Sequence, residues 1–190
     1  MIKITLPDGS VKEFASGVTP MEVAKSISEG FARNVISASF NGTTVETTTP
    51  LTTDGSLILY TWNDEDGKKA FWHSTSHVMA QVLEQMYPGI KLTLGPAIAN
   101  GFYYDVDFEE HKITEADFKK IEDRVLEISR GKHEFKLRPV SKADALELYK
   151  DNVYKTEMIT NLEDGTITFC DHDTFTDLCR GGHIPNTGII

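Results

Sequence analysis

Two four-residue spacings of ligand-type side chains constrain this chain more than any other feature. His73-Ser74-Thr75-Ser76-His77 sets two imidazoles four positions apart, and Cys179-Arg180-Gly181-Gly182-His183 sets a thiol and an imidazole at the same spacing. On a helix, positions i and i+4 lie on one face. The first pair heads a helical apolar pattern of Phe71, Val78, Val82, Leu83 and Met86, so His73 and His77 are expected to point the same way. The second pair contains Gly181 and Gly182 and is followed by Pro185, which excludes a regular helix. It reads as a turn that brings Cys179 and His183 to a common point.

The remainder reads as scaffold in two parts, an α+β chain overall. In residues 1–62, Met1–Leu6 alternates as a strand does, Pro7-Asp8-Gly9-Ser10 turns, and Val11–Phe14 returns. Thr19-Pro20-Met21-Glu22 carries a capping-box signal for a helix that takes Met21, Ala24 and Ile27 inward. Three short apolar runs follow, Val35–Phe40, Thr43–Val45 and Leu57–Trp62, punctuated by Asn41-Gly42 and Asp54-Gly55. Hairpin, helix and further strands is the order of a ubiquitin-like β-grasp. Residues 63–69 are charged and aperiodic and read as a linker, so the second domain is expected over residues 63–190.

That larger α+β domain opens with the His73/His77 helix, which should stop near Tyr87-Pro88-Gly89. Strands follow over Lys91–Ala99 and Phe102–Phe108. A capped helix runs from Thr114 to about Arg130 with Phe118, Ile121, Val125 and Ile128 in register, and a strand covers Glu134–Val140. A third helix begins after Ser141 and runs toward Asn152, and two strands, Thr166–Cys170 and Phe175–Leu178, close the domain. Asn186–Ile190 reads as the start of a further strand, and the second domain as cut short there.

A net charge of −10 argues against holding nucleic acid by a broad basic surface; tRNA contact by this piece alone is expected to be weak and salt-dependent. No apolar run is long enough to span a membrane and no signal-peptide pattern opens the chain, which is expected to be cytoplasmic. Two cysteines are too few for a disulfide framework, so Cys179 suits a ligand or reactive thiol.

Three imidazoles and a thiolate form a plausible tetrahedral zinc shell, and such a shell is catalytic when one position stays open for water. Ser74 stands where a zinc-protease helix carries its glutamate, so that reading fails. Taken alone, the His pair reads as two ordinary helix residues, one buried and hydrogen-bonded and one exposed; the second pair of ligand types moves the reading to a shared site. His111, His133 and His172 lie outside both pairs and read as ordinary polar histidines.

Residues 1–62 resemble a TGS domain. His73–His77, the stretch Leu94-Gly95-Pro96-Ala97-Ile98-Ala99-Asn100-Gly101-Phe102-Tyr103-Tyr104-Asp105, and Asp177–Pro185 resemble the signature stretches of the editing domain of bacterial threonyl-tRNA synthetases. The resemblance covers nearly the whole chain. It implies hydrolysis of the ester of mischarged seryl-tRNA(Thr), with His73, His77, Lys155, Cys179 and His183 as catalytic candidates. Gly95, Tyr104 and Asp177 become substrate-binding candidates, Asp177 toward the α-ammonium. Its implied partners are the serine-bearing acceptor end of tRNA(Thr) and the rest of a synthetase chain; ATP binding is not expected without a synthetic core. The paired motifs also suit alanyl-type editing hydrolases, which hold zinc on a similar set. A metal-free reaction is the reading taken here, with zinc on His73, His77, Cys179 and His183 as the alternative, and a non-catalytic RNA-binding TGS module as the rival from another class.

Overall fold

The computed structural model describes all residues, 1–190. The chain divides into two compact units, Met1–Phe71 with Gly181–Pro185, and Trp72–Arg180 with Asn186–Ile190. This division falls later than the expected boundary after residue 62, and it assigns three residues of the second motif, Gly181, Gly182 and His183, to the first unit.

In the first unit, β1 (Ile2–Thr5) and β2 (Val11–Phe14) form the hairpin, α1 (Pro20–Ile27) and the short α2 (Glu29–Ala32) follow, and β3 (Ser37–Phe40), β4 (Thr43–Val45) and β5 (Gly55–Tyr60) complete it. The sheet order is β2-β1-β5-β3-β4. Its centre is the parallel pairing of β1 with β5, Ile4 opposite Gly55, which joins the first and last strands as a β-grasp does. Thr19 and Glu22 make the expected capping box, with Pro20 at the first helical turn. The core joins Ile2, Ile4, Val23, Ala38, Leu51 and Leu57. Within α1, Ala24 is buried as expected with Met21 packed against its cluster, and Val23 is buried beside it, whereas Ile27 is exposed.

The second unit is built on α3 (Glu65–Met86), which starts in the first unit and carries both histidines. Its beginning corrects the linker reading of residues 63–69. Asp64 accepts from Thr61 N (2.7 Å), and Glu65 and Asp66 sit in the first turn, where negative charge complements the helix dipole. The charges that lacked apolar periodicity are a helix start.

Four two-residue strands follow, β6 (Lys91–Leu92), β7 (Ala97–Ile98), β8 (Gly101–Phe102) and β9 (Val106–Asp107), paired β6-β9 and β7-β8. Then come α4 (Glu115–Arg130), β10 (Lys136–Pro139), α5 (Lys142–Leu148), α6 (Val153–Thr160), β11 (Thr168–His172) and β12 (Phe175–Leu178). Strands β10-β11-β12 form an antiparallel sheet. The helix expected after Ser141 ends at Leu148, short of Asn152, and an unexpected further helix, α6, begins where Asn152 caps it by accepting from Lys155 N (3.1 Å). One core gathers Ala145, Ile159, Ile167 and Phe169, with Tyr149 and Leu178 against it; another gathers Ala80, Leu92 and Phe175, with Tyr104 against it. Residues Thr187–Ile189 form a 3-10 turn, not the expected strand, and Thr187 N donates to His133 O (2.9 Å). No helix is long and apolar enough to cross a membrane.

Candidate active site

The i,i+4 spacing on α3 brings the His73 and His77 rings to 4.8 Å between centroids. Cys179 leaves the end of β12 with its backbone N donating to Thr168 O (3.1 Å), and its Sγ lies 3.1 Å from His73 Nε2. The donor atoms of His73, His77 and Cys179 all lie within 4.8 Å of one another. His183 belongs to Gly181–Pro185 in the first unit, where its Nδ1 is 2.9 Å from Glu46 Oε1.

Asp177, on β12, is the hub of the second unit's polar cluster. Its Oδ1 accepts from Lys155 Nζ (2.6 Å) and from Leu178 N (2.8 Å), and its Oδ2 accepts from Tyr104 OH (2.8 Å) and faces His77 Nδ1 at 3.4 Å. A carboxylate offers about four lone-pair positions, so this one is fully engaged. Lys155 is only 1% exposed, on the inner face of α6. Its side chain ends on a buried carboxylate, with its Nζ 5.8 Å from the centre of the Tyr149 ring.

These contacts set the protonation states. Burial alone would raise the Asp177 carboxyl, but the hydrogen bond from His77 and the Lys155 charge reverse this and hold it well below the usual carboxylate range. For His77, burial disfavours the charged form, yet bonds to Asp177 and Cys179 leave its pKa raised. Burial and the Asp177 charge push the Tyr104 phenol well above its ordinary value, which keeps it a donor.

The pH dependence of stability follows. Asp177 contributes fully above its unfolded value of about 4, and the contribution drains away as pH falls through its depressed folded value. His77 contributes fully below its unfolded value of about 6.5 and loses this as pH rises through its raised folded value. The urea midpoint of the second unit should therefore be highest between about pH 5 and 6.5 and decline on both sides. In His77→Phe the alkaline decline should shrink.

Gly95 sits against this cluster. An added Cβ would lie 2.6 Å from Tyr104 Cε2 and 2.8 Å from Ser76 Oγ, so only glycine lets the ring approach. Ser76 Oγ donates to His73 O (2.7 Å) and lies 3.1 Å from Gly95 O, tying the loop to the histidine helix. Sequence reasoning passed over Ser76, although it lies inside the first motif on the buried face of α3. It also passed over Tyr149, whose OH donates to Thr176 O (3.2 Å). His172, read as an ordinary polar histidine, is buried with its ring packed on Phe135 and Phe175.

Residues 2–61 match the family model described as "TGS domain", so the first unit's β-grasp has a family. Over its full length the chain is 86% identical to the threonine–tRNA ligase of Flavobacterium johnsoniae, covering 29% of that protein. It is 84% identical to the enzyme of Flavobacterium psychrophilum, again over 29% of its length, and 51% identical to that of Parabacteroides distasonis, over 30%. The chain thus carries a TGS domain and is similar, beyond it, to part of aminoacyl-tRNA synthetases. Over its whole length the chain is similar to the N-terminal part of threonine–tRNA ligases. It spans less than a third of the length of the relatives it matches.

Proposed function

We propose that the second unit hydrolyses the aminoacyl ester of seryl-tRNA(Thr), as the editing part of a cytoplasmic threonine–tRNA ligase. The observation that carries this is the buried Lys155–Asp177 pair in the same unit as the His73, His77 and Cys179 cluster. Serine lacks one methyl of threonine, a difference worth only about 1–3 kcal/mol to a synthetic site. A second pocket that excludes the larger side chain supplies what binding alone cannot.

The chemistry needs an aligned water, a base and positive charge for the developing oxyanion. Water adds to the ester carbonyl carbon as His73 takes its proton. The bond to the ribose oxygen then breaks, that oxygen regains a proton, and serine and tRNA leave. Lys155, fixed by Asp177, stabilises the negative charge. Asp177 also receives the α-ammonium, which displaces the longest of its contacts, His77 at 3.4 Å. Tyr104 and the Gly95 backbone wall the pocket, and His183, paired with Cys179 in one motif, supports the substrate.

The reaction in this reading needs no cofactor, and ATP binding belongs to other parts of the ligase. A second reading is favoured by the donor set itself: His73, His77 and Cys179 offer the imidazole and thiolate ligands that zinc takes, grouped within 4.8 Å. A zinc ion there would supply a more acidic water, as in an alanyl-type hydrolase. Following ester loss from seryl-tRNA(Thr), alanyl-tRNA(Ala) and threonyl-tRNA(Thr) separates the readings. Hydrolysis of the first alone is expected; hydrolysis of the second supports the alanyl type, and none at all a binding module.

A further inference from the structure

We infer that Glu46, in the TGS-domain unit, is the positioning residue for His183. The inference rests on the reading of His183 as part of the editing reaction. Glu46 follows β4, and its own backbone is pinned where Thr49 N donates to Glu46 O (3.0 Å). Its side chain is mostly buried and takes three donors from one turn: Gly182 N to Oε1 (3.0 Å), His183 N to Oε2 (3.1 Å), and His183 Nδ1 to Oε1 (2.9 Å). Gly181 and Gly182 both have positive φ, 98° and 89°, conformations that glycine adopts freely. Successive backbone N–H groups in such a turn make a concavity for an anion, and here the anion is a side chain of the same unit.

The chemical consequence lies in the tautomer. A carboxylate only accepts, so the proton of a neutral His183 is held on Nδ1, and Nε2 is left with its lone pair. The two backbone bonds fix the ring's origin while the third fixes its rotation. An imidazole held this way presents one defined acceptor to a substrate hydroxyl, ammonium or water. A free histidine would divide itself between tautomers and rotamers. Glu46 and His183 lie 137 residues apart in sequence and meet within the first unit.

Nitrogen-15 NMR of the whole chain labelled at histidine reads the tautomer directly, and deacylation of seryl-tRNA(Thr) reads its use. In the unsubstituted chain His183 should show a protonated Nδ1 and a bare Nε2. Glu46→Ala removes every acceptor and should release the tautomer and lower kcat about 10–100-fold, with KM moved little; Glu46→Gln retains the shape and one acceptor and should do so only in part. In a His183→Ala background, Glu46→Gln should cost nothing further, because the residue it acts through is gone. An unchanged His183 tautomer in Glu46→Ala, with the chain still folded, overturns the inference. A released tautomer with unchanged hydrolysis upholds the contact and overturns the placement of His183 in the reaction.

Discussion

Lys155→Met should reduce seryl-tRNA(Thr) hydrolysis about 10²–10³-fold, the loss expected when one fixed stabiliser of transition-state charge is removed. It should also destabilise the second unit by about 3–5 kcal/mol, since Asp177 is left buried without its cation. The two effects come apart in the double variant Lys155→Met with Asp177→Leu. Replacing a whole buried ion pair by apolar groups of similar size is often neutral or stabilising, so the double variant should recover stability by denaturant titration. Its hydrolysis should stay lost. A Lys155→Met protein that folds and keeps its full rate would remove Lys155 from the reaction.

Gly95→Ala is the second large effect, and it acts through shape alone. The new methyl meets the Tyr104 ring and Ser76 Oγ at distances no unstrained contact permits. The ring must move, and with it the 2.8 Å bond that Tyr104 gives Asp177. Overpacking of this kind costs about 1–3 kcal/mol, and a displaced pocket wall about 10²-fold in rate. Removing the ring first provides the control. In a Tyr104→Ala background most of the added cost of Gly95→Ala should vanish, measured as the difference in kcat/KM between the two backgrounds.

Periodic signals carried much of this architecture. The β1–β2 hairpin, the Thr19 capping box, α4 and the last hairpin were legible because each combines a turn or cap signal with an unbroken apolar repeat. The start of α3 was not, since a helix's first turn tolerates charge and needs no apolar stripe. Helix α6 was hidden for another reason: both Lys155 and Ile159 are buried, so the inner face is not an apolar stripe. At the site, the i,i+4 spacing anticipates the close, edge-to-face approach of the His73 and His77 rings, a consequence of local geometry. The convergence on Asp177 depends on residues from α3, β12, α6 and the loop before β9, which no local pattern relates. Glu46 is the extreme case, for nothing in Val45-Glu46-Thr47 signals a partner in the second motif.

In the proposed function, side chains of this chain, with Lys155 and Asp177 supplying the fixed charges, hydrolyse the seryl ester without a metal. The most direct measurement is the rate of ester loss from seryl-tRNA(Thr) and threonyl-tRNA(Thr) in a strong chelator, on protein of measured zinc content. The account predicts a seryl rate unchanged by the chelator and at least roughly tenfold above the threonyl rate. Stoichiometric zinc with a rate abolished by chelation, or equal rates on the two esters, would contradict it.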